Sequence, residues 1–114
     1  KNGYVVWGGP PEMGPIDGTV VPSAPGGSLA FLPPETLRVL KTMKQRYGAR
    51  TWCRYGFINA FNPMTDWYDT DVIGIDTGVT LLMAENLRTG FVWDTFSSNP
   101  EEVRGLKLGG FNSH

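Results

Sequence analysis

A chain of 114 residues holds at most one domain, and its 10 Lys and Arg against 11 Asp and Glu leave a formal net charge of -1. With both signs interspersed, it offers neither the basic footprint of a nucleic-acid binder nor a polybasic membrane patch, so an uncharged partner is expected. One cysteine, Cys53, excludes an internal disulfide, and with His114 as the only histidine no metal site can be assembled.

Cys53 reads as a small buried or half-buried thiol rather than a nucleophile, and no cofactor is expected. No apolar run reaches the roughly 18 residues a membrane-spanning helix needs. The opening Lys1-Asn2-Gly3-Tyr4-Val5-Val6-Trp7 reads as the interior of a fold, and any leader would lie upstream. Fifteen Gly and nine Pro, with four Trp, four Tyr and six Phe, give more large apolar surface than two or three helices readily cover. Such a chain is expected to be part of something larger.

Residues 3–31 are expected to be loop with short extended pieces. Gly8-Gly9-Pro10-Pro11, Gly14-Pro15 and Pro25-Gly26-Gly27 argue against a helix, while Thr19-Val20-Val21 favours a brief strand. A helix opens at Pro33-Pro34, where proline suits the first turn and Glu35 suits the dipole. Leu37, Leu40, Met43 and Tyr47 form its apolar side, Arg38, Lys41, Lys44 and Gln45 its wet side, and Gly48 its stop. Residues 49–71 turn irregular, with Trp52, Tyr55, Phe57, Phe61, Trp67 and Tyr68 among Asn and Asp.

A second helix is expected from about Gly78 to about Phe96. Its apolar residues cover most of the circumference, which predicts burial, with Trp93 in the core and Gly90 at a close helix contact. A third helix starts at Asn99 as N-cap, with Pro100 first and Glu101-Glu102 in its first turn, and ends at Gly109-Gly110.

Aromatic faces and amides on Gly/Pro-punctuated loops suit sugar recognition, since a pyranose offers C–H faces for stacking and hydroxyls for polar contacts. Trp7, Phe57, Phe61 and Trp67 are the stacking candidates, each open to a packing role instead. Glycoside hydrolysis usually needs two carboxyl groups, one protonated and one ionised. Asp76, in Gly74-Ile75-Asp76-Thr77-Gly78, is either a helix cap or a substrate-binding or catalytic residue, suited to act as base or hydroxyl acceptor rather than acid. Asp17, in Gly14-Pro15-Ile16-Asp17-Gly18, is either an Asx-turn residue or, like Asp76, a catalytic candidate that would supply the base or hydroxyl acceptor. Asp66, Asp69 and Asp71 lack the Gly and distal Glu of a calcium loop. Glu85 and Arg88 are expected as a partly buried pair tying their helix to a neighbouring loop.

Gly14 to Pro22, Tyr55-Gly56-Phe57-Ile58-Asn59-Ala60-Phe61-Asn62-Pro63, Gly74 to Gly78, Glu85-Asn86-Leu87-Arg88-Thr89-Gly90 and Asn99-Pro100 to Lys107 together resemble the C-terminal part of the glucoamylase-like (glycoamylase) family. The order and spacing match over nearly the whole chain. The resemblance implies a mainly α fold, the C-terminal portion of an (α/α)6 barrel with long Gly/Pro/aromatic loops, residues 1–114 being part of one such domain. It implies a glycoside hydrolase acting on a β-glucan, β-1,2-glucan foremost, in a periplasmic or secreted setting.

Asp17, Asn59, Asn62 and Asp76 carry over as cleft residues; the acid catalyst would lie in an upstream part of the same domain. Thr77 and Val79 stand where the family commonly has Gln and Pro, and Leu87 where it often has Tyr, which bears on substrate preference. The alternatives are a non-catalytic carbohydrate-binding piece and a structural remnant that needs a companion segment.

Overall fold

The computed structural model describes residues 17–111. They form a mainly helical fold with two short hairpins between the helices. Thr19-Val20-Val21 supplies the expected extended piece: Val20 bridges Phe61 antiparallel, its N–H donating to the Phe61 carbonyl at 2.7 Å and its own carbonyl accepting at 3.0 Å.

The chain then turns into a short helix, α1 (Ser23–Gly27), where Pro and Gly predicted loop. Pro25 stands in the first turn, where its missing N–H goes unused. Tertiary packing offsets the poor helix propensity of the two glycines. A Cβ at Gly26 would lie 2.3 Å from Thr80 Oγ1, so only glycine lets α1 approach the later helix so closely.

Helix α2 (Pro33–Tyr47) has both prolines in its first turn and stops at Gly48, as its sequence predicts. A single 3-10 turn (Gly48–Arg50) leads into two hairpins. In the first, β1 (Trp52–Cys53) pairs antiparallel with β2 (Gly56–Phe57) around Arg54-Tyr55. In the second, β3 (Phe61–Asn62) pairs with β4 (Trp67–Tyr68), Phe61 opposite Tyr68 and Asn62 opposite Trp67.

The hairpins and α2 share the core. Met43, Ile58 and Phe61 are buried, with Val20, Tyr47, Phe57 and Tyr68 packed against them. Phe61 is 0% exposed. Its ring stacks on Tyr68 at 5.6 Å and 10° and meets Tyr47 at 4.9 Å.

The predicted second helix is two helices. Helix α3 (Gly74–Thr89) begins four residues earlier than expected, and α4 (Phe91–Ser97) follows a break at Gly90. Gly90 has φ +74 and ψ -7, the left-handed region in which a side chain crowds the next carbonyl. Its N–H donates to the Asn86 carbonyl at 2.8 Å, and the Asn86 side-chain oxygen accepts from Trp93 N at 3.0 Å, holding the start of α4 against the end of α3. Gly90→Ala is therefore expected to destabilise the chain by about 1–2 kcal/mol. Urea unfolding checks this, and unchanged stability would mean that α3 and α4 can straighten into one helix. The close packing expected of Gly90 belongs instead to Gly26.

Helix α5 (Pro100–Leu108) follows its sequence signals closely. Asn99 Oδ1 accepts from Glu101 N at 2.8 Å and Glu102 N at 3.4 Å, capping the first turn, and the C-cap is Gly109.

Burial along α3 and α4 departs from expectation. Of the apolar residues of α3 only Met83 is buried, while Ile75 is 78% and Leu81 67% exposed; Trp93 on α4 is 43% exposed, leaning on Phe31 at 5.3 Å. The radius of gyration is 16.9 Å, against about 13 Å for a compact chain of 100 residues. These helices display apolar surface that the described residues do not cover.

Candidate functional site

The segment ahead of α1, the two hairpins with the residues between them and the α3 N-terminus carry the site residues singled out in the sequence, apart from Trp7, which lies outside the described residues. Asp17 is exposed, and its Oδ1 accepts from Thr19 N at 2.9 Å, an Asx-type bond. The Thr19 backbone N–H, and after it the Thr19 hydroxyl, hold the Asp17 carboxyl below its ordinary value. Asp17 is thus kept ionised, ready to accept a hydrogen bond rather than to donate a proton.

Asn62 is 3% exposed and spends its amide on the protein. Nδ2 donates to the Asp17 carbonyl at 3.0 Å and to Thr19 Oγ1 at 3.4 Å. Oδ1 accepts from Met64 N at 2.9 Å and Thr65 N at 3.2 Å. A direct contact with sugar, expected from the sequence, has no hydrogen-bonding capacity left to use.

Asn59 differs. It is half-buried, its Nδ2 donates to Asp69 Oδ2 at 2.8 Å, and its side-chain oxygen has no partner among the described residues. Asp69 Oδ1 accepts in turn from Asp71 N at 3.1 Å, and Asn59 N donates to the Asp71 carbonyl at 2.9 Å. The aspartates near Trp67 are therefore structural: Asp66 pairs with Arg50 at 2.7 Å, which holds its carboxyl below the ordinary value. Among the described residues, no group of three or more His, Cys, Asp or Glu could hold a metal ion.

Asp76 lies in the first turn of α3, three residues past its N-cap, Ile73. No hydrogen bond to its carboxylate exists among the described residues; only its backbone carbonyl is engaged, by Thr80 Oγ1 at 2.9 Å. The capping role open to Asp76 from sequence is not taken, because the helix starts at Gly74. Asp76 remains half-buried at the positive end of a helix dipole, with both oxygens unspent. No hydrogen bond or ion pair joins it to Asp17 among the described residues: Asp17 is tied to the tip of the second hairpin, whereas Asp71, anchored at the hairpin's open end, leads toward Asp76.

The aromatic candidates separate sharply. Phe61 has no exposed face, so it is core and not a stacking platform. Phe57 is half-buried and edge-on to Trp52 at 4.7 Å. Trp67 is 48% exposed. On the first hairpin two exposed aromatics were not singled out from sequence: Tyr55, at its tip, and Trp52, with Lys44 Nζ 4.2 Å over its ring. The available signal was the Tyr55-Gly56 turn, which places a side chain at a hairpin tip.

Two further expectations are corrected. Cys53 is exposed, standing at the rim of the two-residue turn opposite Gly56. Half-buried Glu85 and exposed Arg88 pair within α3, with both carboxylate oxygens held by Arg88 and one also by Thr89 Oγ1, and among the described residues they reach no neighbouring loop. At this exposure such a pair adds little to stability.

The comparison with known proteins agrees with this helical framework and its loops. The Glycoamylase family model matches residues 1–100, and the chain belongs to this glucoamylase-like family. Among its relatives, an exo β-1,2-glucooligosaccharide sophorohydrolase (non-reducing end) of Parabacteroides distasonis is 29% identical over 91 residues, 80% of this chain. The endo-β-1,2-glucanase of Chitinophaga pinensis, solved with sophorotriose and glucose, is 31% identical over 80% of this chain, with a TM-score of 0.75. A β-1,2-glucanase of Parabacteroides distasonis has a TM-score of 0.77 and 28% identity over 85% of this chain. The chain spans only 13% of the sophorohydrolase and 22% and 14% of the two solved chains.

Proposed function

We propose that residues 1–114 are the C-terminal part of one glucoamylase-like domain, contributing late helices of an (α/α)6 barrel, and that the completed domain hydrolyses β-1,2-glucan. The observation that carries this reading is family membership alongside relatives that act on β-1,2-linked glucose. The uncovered apolar surface of α3 and α4 supports it, since further helices of the same domain would bury that surface.

In this reading Asp76 is the base. Its carboxylate, without a partner among the described residues, takes a proton from the water whose oxygen attacks the anomeric carbon. An acid from the upstream part protonates the leaving oxygen as the glucosidic bond breaks. Asp17, held ionised, accepts a hydrogen bond from a glucan hydroxyl. Trp67, Phe57 and Trp7 offer ring faces, and Asn59 offers its free side-chain oxygen. The partners are thus a glucan and the upstream segment, in a periplasmic or secreted setting.

The exposed Tyr55 and Trp67 also suit a second reading, a carbohydrate-binding piece that does not cleave. Reducing-sugar release from β-1,2-glucan, other β-glucans and starch separates the two. It is measured for this chain alone and for a chain extended by the coding sequence upstream of Lys1. Activity on β-1,2-glucan in the extended chain is the expected result. Sugar binding without release in both would leave the second reading standing.

A further inference from the structure

Asn62 is more completely engaged than a loop asparagine needs to be. A buried amide is costly unless its hydrogen bonds are met, and here two donors and both lone pairs of the oxygen are used. The oxygen closes the tip of the second hairpin through Met64 and Thr65. The nitrogen reaches across 45 residues of sequence to the Asp17 carbonyl. Through the Asp17 carbonyl and Thr19 Oγ1 the amide holds both ends of the turn in which Thr19 N donates to Asp17 Oδ1 at 2.9 Å. Asn62 stands directly opposite exposed Trp67 in the antiparallel register, so the anchored loop and that ring share one face of the hairpin.

We infer that Asn62 is a positioning residue for Asp17: its two amide donors fix the loop that presents the Asp17 carboxylate to a glucan hydroxyl beside Trp67, and it touches no sugar itself. This rests on the reading of the site as glucan-binding. The two halves of the amide have different jobs, and substitution can divide them. Asn62→Ser retains an acceptor that can close the turn on Met64 N, but its side chain is too short to reach Asp17. Thr19→Val removes the hydroxyl link and leaves the hairpin untouched, whereas Thr19→Ser keeps the hydroxyl.

The test follows the Asp17 carboxyl carbon by NMR across a pH titration of the full chain, with sophorotriose binding measured alongside. In Asn62→Ser and Thr19→Val the Asp17 midpoint is expected to rise toward its ordinary value of 3.8, and affinity to fall by roughly tenfold. Thr19→Ser is expected to match the parent. An unmoved Asp17 midpoint in folded Asn62→Ser, or in Asn62→Thr where the serine variant fails to fold, overturns the positioning role; Thr19→Val reports on the hydroxyl link alone. The glucan contact fails separately: Asp17→Asn binding sophorotriose as tightly as the parent would sink that half while leaving the titration result intact.

Discussion

Phe61→Ala is expected to destabilise the chain by about 3–5 kcal/mol, the largest loss from any single truncation among the described residues. Phe61 is fully buried where three sequence-distant pieces meet. Its backbone bridges Val20, and its ring lies against Tyr68 of β4 and Tyr47 of α2. Deleting the ring leaves a cavity that these side chains cannot close, because each is held by its own element. Phe57→Ala is a useful control, since its half-buried ring lies at the edge of the same core, edge-on to Trp52, and should cost less. Urea unfolding followed by far-ultraviolet circular dichroism measures both. A Phe61→Ala loss no greater than that of Phe57→Ala would show that the core is not centred on β3.

Asp76→Asn is expected to reduce β-1,2-glucan hydrolysis by the completed domain by about 100- to 10,000-fold, the usual range for removing a general base. The amide retains the shape and hydrogen-bonding reach of the carboxylate but cannot take a proton. The loss should therefore fall on kcat, with KM changing little. Stability should change little, because the carboxylate makes no cap bond and contributes only through the helix dipole. Steady-state kinetics beside thermal unfolding separates the two effects. A variant with unimpaired kcat would remove Asp76 from the chemistry. One with unimpaired kcat and reduced stability would return it to the structural role that its position next to a helix start first suggested.

The elements that could be read from sequence are those whose signals are local. Asn99 and Pro100 start α5 because a side-chain oxygen and a ring without an N–H solve the unpaired-donor problem within one turn. Pro33 and Gly48 bound α2 in the same way. The break between α3 and α4 was hidden, since the apolar pattern runs through Gly90 and periodicity does not report a left-handed residue. Asn86 makes that break hold by reaching Trp93 from the preceding helix.

The candidate site divides along the same line. That aromatics, amides and aspartates would stand on the segments around the two hairpins was legible in their residue types. Which of them face solvent was not. Phe61 and Trp67 lie on paired strands of one hairpin, yet one is wholly buried and the other about half exposed. Asp76 is released from capping only because α3 begins at Gly74, and Asn62 is consumed only because residue 17 returns to residue 62. By itself the sequence determined where helices α2 and α5 begin and end, because backbone hydrogen bonds there are satisfied by near neighbours. The tertiary structure alone decided which side chains remain free for a ligand, because burial and hydrogen-bond partners are set by segments that meet across tens of residues of chain.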